Sequence, residues 1–195
     1  GLPEDAEVQF GFNQPYKITP QVMDVWSALL HDTPNAVLWL LDWHSQARPN
    51  LEREFLARGV ELNRVHWAPR MDLADHLSRM SLADIFIDTW PCNAHTTASD
   101  ALWAGVPVVT FAGDTFASRV ASSLLHAVGL DELICDGLAD YQHTIKALAS
   151  DPARRAALRA ALLQARETAP LFDSEKFTRD YEALLHRMHT RHMQG

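Results

Sequence analysis

Short apolar runs alternate with amphipathic stretches along the first two thirds of the chain. The apolar runs predict strands, and the stretches between them have the spacing of helices that bury one face. The predicted strands cover residues 7–13, 36–43, 64–69, 85–90, 106–111 and 133–136, and the predicted helices cover 20–32, 49–59, 71–81, 97–104 and 115–128. Gly59 and Gly129 are expected to end two of these helices. This alternation predicts an α/β fold with a parallel sheet covered on both faces.

The last third of the chain is predicted to be helical throughout. Helices are expected over residues 138–150, 152–168 and 174–192. The middle helix is rich in Ala and Arg and has a thin apolar face. We therefore predict an α/β core at 1–137 and a helical C-terminal tail at 138–195 that wraps another part of the molecule.

Composition excludes several classes of partner. The chain has 195 residues, 47% hydrophobic and 22% charged, as in an ordinary soluble globular protein. Its net charge of -8 repels nucleic acid and anionic membranes, so a polyanion must be held by a local basic pocket. No apolar run approaches the roughly 20 residues of a membrane helix, and the N-terminus is unlike a signal peptide. The start of the chain directly at a strand suggests a fragment of a longer protein.

Two cysteines, Cys92 and Cys135, are too few for a disulfide framework and lack metal-ligand spacing. They predict a cytoplasmic location. Ten histidines suggest metal binding, but they are scattered along the chain. His186, His189 and His192 share a spacing of three, for which a solvated helix face is a better explanation than a metal site. No metal is therefore expected.

In parallel sheets, ligands bind beyond the carboxyl ends of the strands. The loops at 12–19 and 90–97 follow two predicted strands and carry the most polar groups. In the first, Gln14 and Lys17 offer an amide and an ammonium, and a lysine suits a phosphate oxygen. The alternative for Lys17 is an ordinary exposed loop lysine.

The second loop leads into the predicted helix 97–104. A helix N-terminus presents unpaired N–H groups and a partial positive charge, and both stabilise a phosphate. His95, Thr96 and Thr97 add donors at that point. Thr97 and Asp100 also fit a capping box, which needs no ligand. Asp100 has a second possible role, because its carboxylate can accept two hydrogen bonds from ribose hydroxyls.

A further pair, His76 and Arg79, lies at i and i+3 on one face of the predicted helix 71–81. These side chains either face a diphosphate or belong to a solvated surface. Other nucleotide and hydrolase motifs are absent from the sequence: there is no G-x-x-x-x-G-K-[ST], G-x-G-x-x-G, G-x-S-x-G or H-E-x-x-H. No Asp-x-Asp pair of the kind that holds a divalent metal beside a sugar nucleotide occurs either.

Long segments of the chain resemble the C-terminal catalytic lobe of the O-linked N-acetylglucosamine (O-GlcNAc) transferase family, which includes bacterial homologues and plant Spindly-type fucosyltransferases. The resemblance covers nearly the whole chain, to about residue 189. It rests on the segments FNQPYKITP, NAVLWLLDW, LADIFIDTWPCNAHTTASDALWAGVPVVT, GDTFASRVASSLL and PLFD.

The resemblance implies a GT-B glycosyltransferase of two facing Rossmann-like, doubly wound lobes, with this chain as the donor-binding one. In that family the F-N-Q-x-Y-K glutamine and lysine contact the nucleotide and its diphosphate. A histidine and an arginine contact the base or ribose, and the H-T-T-x-x-D motif cradles phosphate and ribose. The matching positions here are Gln14, Lys17, His76, Arg79, His95, Thr96, Thr97 and Asp100.

One position departs from the family pattern. Animal members have a lysine near the uracil where this chain has Leu73, which changes the expected base contacts. The family's N-terminal lobe and tetratricopeptide repeats are not within these residues. The C-terminal helices are therefore expected to pack on that lobe as well as on the core. Without the lobe, the chain alone is expected to be inactive.

The resemblance implies an inverting, metal-independent transfer of N-acetylglucosamine from uridine diphosphate (UDP) to protein Ser or Thr, with Lys17 stabilising the leaving group. Two alternatives are a lobe that uses guanosine diphosphate (GDP)-fucose and a non-catalytic module that binds nucleotide sugars.

Overall fold

The computed structural model describes residues 2–194 and has a six-stranded, wholly parallel sheet. The strands are β1 (Glu7–Gly11), β2 (Ala36–Leu41), β3 (Val65–Ala68), β4 (Ile85–Ile87), β5 (Val108–Phe111) and β6 (Ile134–Cys135). Their order is β3-β2-β1-β4-β5-β6, that of the Rossmann-like doubly wound fold. The predicted fold class is confirmed.

Eight α-helices are found within the described residues. They are α1 (Pro20–Asp32), α2 (Ala47–Ala57), α3 (Leu73–Met80), α4 (Thr96–Trp103), α5 (Val120–Ala127), α6 (Leu138–Ala149), α7 (Pro152–Thr168) and α8 (Ser174–Met193). Gly59 and Gly129 follow α2 and α5 with φ of +76° and +75°, a conformation that glycine adopts without strain, so both end helices as predicted. None of the described helices is long and apolar enough to span a membrane.

The strands are buried because helices cover both faces of the sheet, as parallel sheets require. Phe10 and Phe86 pack edge-to-face at the centre, with ring centroids 4.8 Å apart. Each of the first four strands ends before the predicted boundary. The residues beyond them, including Asn13 and Asp88, form side-chain hydrogen bonds to loops, and those polar stretches lie at the carboxyl edge of the sheet.

The predicted helix 115–128 is interrupted, which corrects the sequence-based boundary. A 3₁₀ turn at Phe116–Ser118 precedes α5. The Thr115 and Ser118 side chains bond reciprocally around that turn, which satisfies its first donors and lets the chain change direction.

The C-terminal helices differ in how much they bury. Helix α6 buries Tyr141 and Ile145 against the sheet, and α7 buries Leu158 and Leu162. Helix α8 buries no residue of its own. One of its faces exposes the apolar side chains of Phe177, Tyr181, Leu184 and Met188.

Candidate functional site

The sequence-predicted residues gather at the point where the strand order reverses. Strands β1 and β4 are adjacent, yet the chain runs outward from them in opposite directions across the sheet. The loops that follow these two strands therefore separate and leave a crevice at the carboxyl edge, the usual ligand position in such sheets. The loop after β1 carries Gln14 and Lys17, and the loop after β4 leads to His95.

Lys17 joins the two loops. Its ammonium Nζ donates to the Asn93 carbonyl oxygen at 2.7 Å. This contact places a half-buried positive charge just before the start of α4. Nζ has two further protons, so the same ammonium can donate to a ligand without giving up Asn93.

The first turn of α4 presents unpaired amides. Within residues 2–194, the backbone N–H groups of His95, Thr96 and Thr97 donate to no backbone carbonyl, whereas the next two amides both donate to the His95 carbonyl. Three adjacent donors beside the Lys17 ammonium form an arrangement suited to an anion.

The capping-box alternative for Thr97 and Asp100 is wrong. The N-cap position of α4 is His95, which makes no side-chain cap bond, and Thr97 is the second residue inside the helix. Thr97 therefore cannot cap the helix with Asp100 as the third residue. Burial raises the pKa of the half-buried Asp100 carboxyl, and that carboxyl is left available for a ligand hydroxyl.

A pocket of about 320 Å³ adjoins this edge and brings together Gln14, Lys17, His76, Arg79 and Thr97. Its other walls include Trp43 and Arg70, whose guanidinium carbon lies 4.6 Å from the Trp43 ring centre. Leu73 also lines it and is 66% exposed. Among the described residues that line this pocket there is no Asp or Glu. The pocket is therefore positive.

His76 and Arg79 form a fixed pair. Arg79 is 8% exposed; it donates to the Pro69 carbonyl and to His76 Nδ1, and it lies over the Phe12 ring at 5.0 Å. The His76 ring stacks on Phe12 at 5.5 Å. Because a guanidinium is always a donor, His76 Nδ1 is an acceptor and the neutral ring carries its proton on Nε2. Burial and the charge of Arg79 lower the pKa of His76, which favours this neutral donor form.

His95, Thr96 and Asp100 lie outside the lining of this pocket. Thr96 is exposed and the other two are half-buried. The His95 ring packs edge-to-face on Phe116, and its Nε2 is 3.3 Å from the Ala117 carbonyl oxygen. These contacts tie the start of α4 to the loop after β5.

Four buried residues that support the site escaped sequence reasoning. Asn13 Nδ2 donates to Thr89 Oγ1, which donates to the Cys92 carbonyl. The Asp88 carboxyl accepts two hydrogen bonds from the loop after β4 and one from the Thr110 hydroxyl of β5. The Tyr141 hydroxyl of α6 donates to the Asp88 carbonyl at 2.9 Å. A signal was available for Asp88, since a carboxylate directly after the apolar run IFI needs partners when it is buried.

A larger cleft, about 950 Å³, lies at the opposite edge of the sheet. Its charged lining residues are Glu4, Asp5, Glu7, Asp32, Asp84 and Arg155. A diphosphate there would face five carboxyl groups and a single guanidinium. Charge therefore favours the smaller pocket as the nucleotide site. No group of three or more His, Cys, Asp or Glu side chains able to hold a metal ion occurs within residues 2–194.

Comparisons with solved structures define the class. A mutant of the O-GlcNAc transferase of Thermobaculum terrenum matches with a TM-score of 0.88 and 32% identity, covering 95% of this chain and 36% of that chain. Anabaena HepE, solved in complex with UDP and glucose, matches with a TM-score of 0.63 at 17% identity, covering 92% of this chain and 48% of that chain, which shows the fold alone. The chain has the α/β fold of one lobe of a GT-B glycosyltransferase.

Sequence relatives narrow the class to a family. The model of glycosyl transferase family 41 matches residues 1–181, and the chain belongs to that family. A UDP-N-acetylglucosamine–peptide N-acetylglucosaminyltransferase of Caenorhabditis elegans is 37% identical over 100% of this chain and 17% of its own length. A probable enzyme of the same name, SPINDLY of Solanum lycopersicum, is 36% identical over 96% of this chain and 20% of its own length. The chain thus spans a fifth or less of these relatives.

Proposed function

We propose that this chain is the UDP-N-acetylglucosamine-binding half of an inverting, metal-independent transferase that moves N-acetylglucosamine to Ser or Thr of proteins. The named activities of its relatives and its membership of glycosyl transferase family 41 support this proposal. The observation that carries it is the hydrogen bond from the Lys17 ammonium to the Asn93 carbonyl, 2.7 Å long, beside the unpaired amides of α4.

The chemistry follows from the charge that the reaction creates. Breaking the bond between the sugar and its diphosphate transfers negative charge to the leaving group. Fixed donors that meet this charge as it develops lower the barrier, and removing one such donor costs about 10²- to 10³-fold in turnover. Lys17 and the amides of residues 95–97 would supply these donors where other transferases use a divalent cation.

The remaining predicted residues have complementary roles in this proposal. Gln14 and the Nε2–H of His76 would bind the polar groups of the nucleotide, and Arg79 would hold His76 in its donor form. Asp100 would accept hydrogen bonds from the ribose hydroxyls. The hydroxyls of Thr96 and Thr97 would add donors to the phosphates, and His95 would anchor the start of α4.

The rest of the enzyme would be supplied outside these residues. We propose that an N-terminal lobe provides the general base and closes over the donor, that tetratricopeptide repeats bind acceptor proteins, and that this chain alone is inactive. The exposed apolar side chains Phe177, Tyr181 and Leu184 on α8 fit a packing surface for that lobe.

Titration calorimetry of the chain with UDP, GDP and uridine tests the nucleotide assignment. We expect UDP to bind more tightly than either GDP or uridine. Its affinity should be the same with and without a metal chelator. A preference for GDP would favour the fucose donor. Equal affinity for UDP and uridine would refute the diphosphate site.

A further inference from the structure

Asp88 is the most deeply buried carboxylic acid near the site, with 1% of its surface exposed. It directly follows β4, at the start of the loop that ends at α4. Such a group is costly to bury unless hydrogen bonds satisfy it. It lies beneath the crevice where the strand order reverses, so its hydrogen bonds act on the loop that borders this crevice.

The Asp88 carboxyl closes the loop on itself. Its Oδ1 accepts from the backbone N–H groups of Thr89 and Ala94, each at 2.7 Å. Its Oδ2 accepts from the Thr110 hydroxyl of β5 at 2.7 Å. One side chain therefore holds both ends of the loop 89–94 and fixes them to the neighbouring strand.

The end of the loop that Asp88 holds is the end that builds the anion site. Ala94, whose amide Asp88 binds, is followed directly by His95, the first of the unpaired amides. Ala94 is preceded by Asn93, whose carbonyl oxygen accepts from Lys17. A movement of Ala94 would displace both the amides and the acceptor that positions the ammonium.

The carboxyl itself cannot serve as a ligand or a base in this arrangement. It is buried, and both of its oxygens accept hydrogen bonds from the protein. Its effect on a bound molecule must therefore pass through the groups that it holds. Supporting hydrogen bonds of this kind commonly decide whether a binding group sits within about 1 Å of its productive position, which is worth about 10²-fold in function.

We propose that Asp88 is a positioning residue: its carboxyl holds Ala94 so that the amides of residues 95–97 and the Lys17 ammonium converge on a diphosphate. This inference rests on the proposed function. The positioning effect of Asp88 depends on hydrogen bonding and not on net charge. Oδ1 accepts hydrogen bonds from two amides in either protonation state, and the Thr110 hydroxyl can donate to Oδ2 or accept from it. Asparagine can reproduce all three bonds, with Oδ1 facing the amides and Nδ2 donating to Thr110.

The test compares the affinities of the chain for UDP and for uridine by calorimetry. We expect Asp88→Ala to reduce the ratio of the two affinities about tenfold or more, and Asp88→Asn to keep it within about threefold of the unmodified chain. A general loss of stability would weaken both ligands and leave the ratio unchanged. The amide proton of Ala94, followed by NMR, should shift upfield in Asp88→Ala and stay downfield in Asp88→Asn.

Two results would overturn the inference: an unchanged ratio in Asp88→Ala, or an equal loss in Asp88→Asn, which would show that charge matters instead. If Asp88→Ala does not fold, Thr110→Val and Thr110→Ser decide the question. The valine variant should lower the ratio and the serine variant should preserve it, and any other order contradicts the proposal. A chain that binds UDP no better than uridine before any substitution would instead contradict the proposed function.

Discussion

Replacing Lys17 by methionine tests the anion site most directly, because it removes the ammonium and keeps most of the unbranched side chain. The ammonium retains two protons for a ligand after its bond to Asn93. At an effective dielectric constant of about 20, a lysine charge about 4 Å from a phosphate contributes about 4 kcal/mol. Solvent screens part of this at a half-buried side chain, so we expect a loss of about 3 kcal/mol, or about 10²-fold in Kd.

UDP is the right ligand for this assay because it is the leaving group of the proposed reaction. Calorimetry should show the loss for UDP and little change for uridine, which lacks the phosphates. Lys176→Met is the matched control, because Lys176 lies on α8 in an exposed ion pair with Asp180. It should leave both affinities unchanged. A Kd for UDP within threefold of the unmodified chain in Lys17→Met would refute the reasoning.

Three further predictions concern stability and protonation. Tyr141→Phe removes the hydroxyl that donates to the Asp88 carbonyl and leaves that buried acceptor unpaired. Urea denaturation should therefore show a loss of about 1–3 kcal/mol in the free energy of unfolding. No loss would mean that water replaces the hydroxyl. Burial raises the pKa of Glu7 from 4.5 to about 7, so the folded state binds this proton more tightly and stability should fall as the pH rises from about 5 to 8. Glu7→Gln should reduce that slope without abolishing it, because burial also raises the pKa of Asp88 to about 7; an unchanged slope would contradict the shift of Glu7. The pKa of His76 should lie below 6.5 in an NMR titration and rise in Arg79→Met, because burial and the Arg79 charge both lower it.

The sequence predicted which loops meet at the carboxyl edge of the sheet, because the signals for the strands are local. The apolar runs located the strands, and parallel strands place the loops that follow them at one edge. That placement put Gln14 and Lys17 near the loop before α4, as observed, although the bond from Lys17 to Asn93 spans 76 positions in the chain. The spacing of His76 and Arg79 likewise predicted a shared helix face, and the two side chains are in contact.

The supporting network could not be predicted because its partners are distant in sequence. The Thr110 hydroxyl is 22 residues from Asp88, and Tyr141 is 53 residues away. The capping box at Thr97 failed for a related reason. The bond from Ala94 to Asp88 fixes the chain ahead of α4, so the helix begins at Thr96 with His95 as its N-cap, and the local capping pattern is overridden.

The hydrogen-bond network beneath the crevice and the apolar face of α8 are separate, so substitutions in one should not affect the function of the other. The network of Asp88, Asn13 and Thr89 lies beneath the crevice and holds the loop that forms part of the proposed diphosphate site. The apolar face of α8, with Phe177 stacked on Tyr181 at 6.0 Å, shares no buried residue with it. Substitutions on that face should therefore leave the affinity of the chain for UDP intact while reducing transfer by the whole protein. Substitutions beneath the crevice should reduce both, because in the proposed reaction the same groups that bind UDP also stabilise it as the leaving group.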